Sequence, residues 1–377
     1  MISGYATAQH TRAYQKKVKA AVGHFSEFPG ESIKLSSIGV GTFPGEANSQ
    51  VDDVIADIVS GALQNGINVI DTAAHYRYGR SLAAVGQGIN EALSQGVSRQ
   101  DFFLVSKGGF LCFQDGRPES FDDWFAQKII ADGLGTHDDL YENCHLLTAE
   151  YLLYQLNESR AQLGVDTLDG FLIDQPEVHI KKRGKEFVNQ KLLEIFIGLE
   201  NAVKHNWVRY YGISAFDGFR VATDDPRFQS LTSLLALAEK AAKKVQGTNY
   251  QGHHFRLMQM PFNLVMSEAF TRFNQVTGPG NIASTLQAAY QLNVYVMASH
   301  TLMKGHLAEP GAAVLEGDAL AGVTNNAQRA IQFNRSTPGV GSTLLGMSQL
   351  AHLQDVLTVV GVPPIPRSDY LKMYQRI

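Results

Sequence analysis

Residues 67–71 read I-N-V-I-D and residues 102–107 read F-F-L-V-S-K, two short apolar runs that each end on a charged side chain. Between them, residues 81–93 carry apolar side chains at helical spacing. Near-continuous apolar strands belong to sheets covered on both faces, and such sheets are mostly parallel. The alternation extends in both directions from this pair. Strands are expected at 35–42, 67–71, 102–107, 170–174, 208–214, 256–261, 294–299 and 342–346. Helical spacing recurs at 51–65, 81–93, 149–163, 185–204, 230–244, 282–291, 328–335 and 350–360. Parallel neighbours need a crossover of about a dozen residues or more, which the helical segments supply. Eight strand–helix units in one chain predict an α/β fold, the closed (β/α)8 TIM barrel. An open doubly wound sheet is the alternative, and it requires a G-x-G-x-x-G turn leading directly into a helix. The stretch G-V-G-T-F-P-G at 39–45 matches that only loosely, and no helical run follows at once.

Composition narrows the function. The 377 residues are 44% hydrophobic and carry 32 Lys+Arg against 36 Asp+Glu, a net charge of −4. That balance argues against a nucleic-acid footprint or an anionic membrane surface. No apolar run approaches the roughly 18 residues of a membrane helix. Two cysteines, Cys112 and Cys144, supply neither a disulfide framework nor a Cys-rich zinc site. A cytoplasmic enzyme acting on a small molecule is expected, with its oligomeric state left open. Residues 1–34 read as a polar N-terminal arm and 35–377 as a single barrel domain. An unusually long segment, 108–147, separates the third strand from its helix and holds Phe110, Phe113, Phe121, Trp124, Phe125 and Tyr141. Loops beyond about 15 residues are usually functional or disordered, and six aromatics argue against disorder. Such an insert sits on the face where barrel active sites form, so a substrate lid is expected, with a surface or oligomer contact as the alternative.

The expected strand ends present Asp71, Lys107, Asp174, Ser214, Gln259 and Ser299. Asp71 and Lys107 end neighbouring strands, so a salt bridge in the barrel mouth is expected. Tyr76 follows on the loop above Asp71. A nearby ammonium favours a phenolate and is expected to lower the phenol's pKa from its ordinary value near 10.

These segments resemble the aldo/keto reductase superfamily over about residues 35–358. The resemblance rests on G-V-G-T at 39–42, I-N-V-I-D-T-A-A-H-Y-R at 67–77, L-V-S-K-G-G-F at 104–110, D-T-L-D-G-F-L-I-D-Q-P-E at 166–177, Y-G-I-S-A-F at 211–216, Q-M-P-F-N at 259–263 and T-P-G-V-G-S-T-L-L-G-M at 337–347. It implies a barrel that binds NADP(H) or NAD(H) and reduces carbonyls, with Tyr76 as general acid and Lys107 and Asp71 tuning it. It further implies cofactor contacts from Thr42, Ser214, Gln259, Ser299, Leu302, Lys304, Gly346, His352 and Asp355.

Departures from the family pattern bear on function. Asp174 stands where the family usually has a histidine that donates to the substrate carbonyl. An ionised carboxylate has no proton to donate, whereas a protonated one does. A related branch that reduces steroid double bonds uses a glutamate there. His75 is a candidate substitute donor, weighed against an ordinary loop histidine. Ala215 and Ala298 replace the usual asparagine and the stacked tyrosine near the nicotinamide. Gly346 and His352 replace cations that hold the adenosine 2′-phosphate, so weak NADPH preference is expected unless Arg329 or Arg335 reaches the gap. The resulting expectation is an NAD(P)(H)-dependent reductase of a carbonyl or activated double bond in a medium-sized, ring-bearing metabolite. Two alternatives stay open: a relative turned to non-redox acid–base chemistry, and a cofactor-binding regulatory subunit.

Overall fold

The computed structural model describes residues 1–114, 116–312, 320 and 322–374. Eight parallel strands close a barrel: β1 (Ile38–Gly41), β2 (Val69–Asp71), β3 (Phe103–Gly108), β4 (Leu168–Asp174), β5 (Val208–Ser214), β6 (Phe255–Pro261), β7 (Tyr295–Ser299) and β8 (Ser342–Gly346). They pair in chain order, and β8 closes on β1 through Thr343–Ile38 and Leu344–Gly39. Around them run α1 (Ser49–Gln64), α2 (Arg80–Ser94), α3 (Ala149–Leu163), α4 (Lys185–Lys204), α5 (Leu231–Gln246), α6 (Thr285–Gln291), α7 (Asn326–Ser336) and α8 (Leu350–Val360). Side chains of Asn48, Thr148, Ser230 and Asn325 accept from backbone N–H groups in the first turns of α1, α3, α5 and α7. Those groups otherwise lack intrahelical partners, so each cap fixes where its helix starts. No helix among the described residues is long and apolar enough to cross a membrane.

Period-2 alternation divides each strand between two cores. Ile70, Leu104, Phe171, Ile213, Met258 and Val296 face outward into the helix layer. Val69, Phe103, Val105, Leu172, Tyr210, Leu257, Tyr295, Met297 and Leu344 fill the barrel interior. Space inside is scarce: a Cβ on Gly212 would lie 1.7 Å from the Leu257 carbonyl oxygen, which only glycine permits there. Continuing the inward alternation one step brings Asp71, Lys107, Asp174, Ser214, Gln259 and Ser299 to the top of the barrel. The fold therefore collects six polar side chains in one place.

Two segments differ from the sequence reading. Residues 1–34 are no free arm. A helix (Ala8–Lys17) and a hairpin of Phe25–Glu27 with Lys34–Ser36 close the bottom of the barrel. Phe28 enters the interior, with ring centroids 4.8 Å from Tyr210 and 5.3 Å from both Phe103 and Tyr295. The expected strand 35–42 is split at Ser37, whose N–H donates to His24 O, so its first part joins the hairpin and the rest becomes β1. Polar spacing hid the few apolar anchors, Ala6, Phe28, Ile33 and Leu35, that tie this segment down. A second hairpin, Phe273–Gly278 with Asn281–Ser284, was also not expected and lies between β6 and α6.

Removing the plug leaves a cavity that the surrounding barrel cannot collapse into. Phe28→Ala should cost about 3–5 kcal/mol in urea unfolding; a loss under about 1 kcal/mol would show that the hairpin hardly supports the barrel.

Candidate active site

Lys107 is fully buried at the top of β3, and each of its three ammonium protons has a partner. Nζ donates to Asp71 Oδ2 at 2.7 Å, to Tyr76 OH at 2.9 Å and to Thr72 O at 3.0 Å. Asp71 Oδ1 accepts from Gln259 Nε2 at 3.1 Å, and Thr42 Oγ1 donates to Asp71 O at 3.2 Å. Ser214 Oγ lies 2.8 Å from Asp174 Oδ1 and 3.2 Å from Gln259 Oε1, so its single proton is shared between acceptors. Asp71, Tyr76, Lys107, Asp174, Ser214, Gln259 and Thr42 thus form one connected polar network.

The loop that carries Tyr76 is tightly held. Arg77 and Tyr78 sit at φ 52° and 58°, a left-handed conformation costly for such side chains. Arg77 stabilises it from below by donating to the carbonyls of Glu46 and Asn48 and to Asp52. That ladder ties the loop after β2 to the loop after β1 and so fixes the phenol.

Electrostatics in this dry pocket differ from the sequence expectation in one respect. Burial raises the Tyr76 phenol above its ordinary value, and the Lys107 ammonium only partly opposes it. The phenol therefore stays protonated at neutral pH, with the Lys107 ammonium 2.9 Å from its oxygen. Burial works against the Lys107 charge, but Asp71, Tyr76 and Asp174 together hold its value above the usual one. Asp71 is raised by burial and pulled back by Lys107. Burial pushes Asp174 up to about 6, against the pull of Lys107 and the Ser214 hydrogen bond.

The remaining residues implied by the family lie on an arc of the rim, outside this network. Ser299 is half-buried at the end of β7, and its carbonyl accepts from Phe262 N–H. Leu302 O accepts from Gly305 and Leu307 N–H, while Lys304 is exposed at φ 57°. Gly346 is exposed at the end of β8. The exposed His352 accepts at Nδ1 from Ser348 N–H at 3.4 Å. Asp355 Oδ1 accepts from Asn325 Nδ2 and Gln328 Nε2. Arg335 cannot reach the gap left by the missing cations. It lies in the last turn of α7, at the opposite end of the barrel, buried against Gln332, Val362 O and His24. Arg329 Nη1 lies 3.3 Å from Asn326 Oδ1 in the first turn.

Several contributors had no sequence signal. The insert after β3 holds a helix, Phe121–Phe125, and a hairpin, Leu140–Tyr141 with His145–Leu146. His145 Nε2 lies 2.6 Å from Asp174 O, an atom that can only accept, so Nε2 carries the proton. Nδ1 must then accept from His179 Nε2 at 2.9 Å. Burial lowers both rings, to about 4 and about 3, so this pair is a neutral strut that pins the insert to the end of β4. Gln155 joins it from α3, accepting from Gly109 N–H and donating to Phe110 O. Glu177, present in the quoted run but not singled out, accepts from Phe216 and Asp217 N–H and ties the loop after β5.

Comparisons with known proteins agree with this picture. The aldo/keto reductase family model matches residues 37–223. An aldo/keto reductase from Klebsiella pneumoniae, solved with NADP and acetate, superposes with a TM-score of 0.60 at 18% identity, covering 94% of this chain and 95% of that one. An aldo-keto reductase from Bacillus halodurans in its holo form gives 0.58 at 15% identity, covering 94% and 96%. At these identities the likeness is one of fold. A D-galacturonate reductase of Hypocrea jecorina is 37% identical over 75 residues. That match spans 20% of this chain and 22% of the relative.

The ion pair can be tested alone. Lys107→Met strands the Asp71 carboxylate in a dry site and should destabilise by about 3–5 kcal/mol at neutral pH. Without the ammonium, the folded-state value of Asp71 rises further above its unfolded value. The deficit should therefore shrink as pH falls towards the ordinary carboxylate range; a pH-independent deficit would mean that lost packing, not stranded charge, is responsible.

Proposed function

The chain belongs to the aldo/keto reductase family, and on that premise we propose that it reduces the carbonyl of a hydroxylated small molecule with NADPH or NADH, Tyr76 supplying the proton. The observation that carries this reading is the Tyr76 hydroxyl held 2.9 Å from a buried ammonium that is itself paired with Asp71.

The donor set suits a dinucleotide at its nicotinamide end. A carboxamide needs both an acceptor and a donor: Gln259 Nε2 keeps a second proton beyond the one given to Asp71, and Ser214 Oγ and Asp174 offer acceptors beside it at the ends of neighbouring strands. Thr42 lies on the opposite side of the mouth, and Ser299, Leu302 and Lys304 border the path leading outward. When bound, the cofactor supplies a hydride to the carbonyl carbon. This chain's residues do the rest. Tyr76 donates its proton to the oxygen as charge develops there, and Lys107 stabilises the resulting phenolate. Asp71 keeps Lys107 charged and oriented, while Gln259 and Thr42 hold Asp71. At neutral pH Asp174, pushed up only to about 6, is mostly ionised and accepts. A hydroxyl neighbouring the substrate carbonyl is its natural partner. The D-galacturonate reductase fragment match points to the same class of polyhydroxylated carbonyls. Phe43, 60% exposed and edge-on to Tyr76 at 5.1 Å, together with Phe110 and the insert, forms an apolar wall over the mouth. That wall supports a lid role for the insert and accommodates a medium-sized or ring-bearing substrate.

The direct assay follows NADPH oxidation with D-galacturonate, D-glyceraldehyde and benzaldehyde. Turnover is expected with the hydroxylated aldehydes above benzaldehyde, and no consumption of NADPH or NADH with any of them would overturn the reading. Tyr76→Phe should lower kcat by about 1,000-fold or more while leaving cofactor affinity within about twofold, since the proton matters only in the transition state. Retained turnover would move the acid role elsewhere.

Two further outcomes follow from charge. Asp174 accepts only when ionised, so kcat/KM for a hydroxylated substrate should rise with pH through about 6. Asp174→Asn should remove that limb, and an unchanged profile would detach Asp174 from the substrate. Gly346 and His352 stand on the rim where paired cations would hold a phosphate, so NADPH should be preferred over NADH by less than about tenfold, or roughly 1.4 kcal/mol. A hundredfold preference in a binding titration would require another cation, Arg329 or Lys304, in that place.

A further inference from the structure

We propose that the hairpin between β6 and α6 is the contact through which two copies of this chain associate about a twofold axis. The inference is independent of the reductase reading.

The hairpin pairs Phe273–Gly278 with Asn281–Ser284, and neither strand has a further strand beside it among the described residues. Its outward side chains are apolar. Phe273 is 65% exposed, Val276 54% and Ile282 59%, and Val276 and Ile282 are paired across the ladder. Tyr290, on the adjoining α6, is 77% exposed. Asn281 Nδ2 lies 3.4 Å from Gln291 Oε1, which holds the turn of the hairpin against the end of that helix. Exposed apolar side chains scattered singly are ordinary, whereas a group gathered on one ribbon and its neighbouring helix marks a contact surface.

Charge is missing from this surface. Residues 273–303 contain no Asp, Glu, Lys or Arg, although such residues make up 18% of the chain. The exposed Asn281, Gln287 and Gln291 are polar but neutral. The loop after β5, to which the hairpin is fastened, is different: there Arg227 pairs with Asp217 and Asp225. Open strand edges are ordinarily guarded by a lysine, by a proline within the strand or by an inward-pointing charge. The strands F-N-Q-V-T-G and N-I-A-S contain no charged residue and no proline, since Pro279 lies in the turn. An edge left unguarded in this way is protected only when it is covered.

The same absence of charge selects the occupant. A neutral face does not repel its own copy, although the chain as a whole carries −4. Nor does it offer a charge pattern by which one foreign partner is told from another. An antiparallel edge is self-complementary about a twofold axis, so two hairpins meeting edge to edge form one continuous sheet.

The hairpin is also held rigid, which lowers the ordering cost of association. A register shift between Phe273 and Gln275 accompanies the burial of two consecutive side chains, Asn274 and Gln275. Asn274 Nδ2 donates to Phe219 O and Val221 O. Gln275 Oε1 accepts from Leu231 N–H, and its Nε2 donates to Gln229 O. Thr285 Oγ1 adds a bond to Phe219 O at 2.7 Å. Polar side chains thus fasten the ribbon to the protein, and the apolar ones are left for the outer side.

The test is sedimentation velocity of the full chain over about 1–100 μM, the range in which a micromolar dimer dissociates. Wild type is expected at twice the chain mass of 41.3 kDa. In a twofold contact each substitution enters from both copies. Ile282→Lys brings like charges into the same interface and should weaken association by at least about 100-fold. Tyr290→Glu, on the helix and outside the ladder, should also give the monomer, while Ile282→Val should remain dimeric. Circular dichroism and thermal unfolding establish that each variant is folded, and Tyr290→Glu carries the test if Ile282→Lys does not fold. Wild type sedimenting as a 41.3 kDa monomer throughout overturns the proposal. If that monomer co-sediments with phosphatidylcholine vesicles, the face belongs to a lipid surface instead. A dimer that persists in both folded charge variants also overturns it, by placing the contact elsewhere.

Discussion

A lysine ammonium with no exposure to water needs partners for its charge and for all of its protons, and the top of this barrel is arranged around that requirement. Asp71 supplies the countercharge at 2.7 Å, Thr72 O the second acceptor and Tyr76 the third. Breaking any one of these leaves a charged group imperfectly satisfied in a medium that cannot solvate it. The constraint passes outward through Gln259 and Ser214 to Asp174, and through Arg77 to the loop after β1. A barrel that needed only to be stable would do better with an apolar side chain at position 107. Keeping the ion pair is reasonable where a phenol must stay protonated at rest and still give up its proton on demand.

Strand geometry explains why the network forms where it does. Inward positions alternate, so the same period that puts Val69, Phe103, Leu172 and Leu257 in the interior puts Asp71, Lys107, Asp174 and Gln259 at its upper edge. Below, the Phe28 plug keeps the interior dry; above, the His145–His179 strut holds the insert against β4. The mouth is closed off from water at the bottom and partly walled by aromatics at the top, which is the setting in which one ammonium has a strong effect on one phenol.

Much of this was legible in the sequence, for identifiable reasons. Apolar runs ending on polar residues announce both the strands and their functional ends, so the barrel and the six strand-end side chains could be read together. The family motif around residues 67–77 added the phenol. What could not be read depends on contacts distant in sequence. The hairpin at 25–36 has too few apolar residues to show a period, and its role depends on Tyr210 and Tyr295 far along the chain. His145 and His179 carry no spacing signal, since they meet only when the insert folds back on β4. The direction of the Tyr76 shift was misjudged because the sequence reveals the neighbouring ammonium but not how completely the phenol is dried. Arg335 was offered for the gap although a (β/α)8 barrel already sets the last turn of each crossover helix, α7 included, at the end away from the mouth.

The central claim is that the network around Lys107 serves hydride reduction of a carbonyl, with the proton coming from the protein. The most direct measurement is to run turnover of D-galacturonate with NADPH deuterated at the nicotinamide C4 and to locate the label in the product by mass spectrometry and NMR. The account predicts one deuterium per product molecule, on the former carbonyl carbon, with the new hydroxyl proton drawn from solvent through Tyr76. Product formed without label, or label recovered unchanged in the cofactor while substrate is consumed, would contradict it.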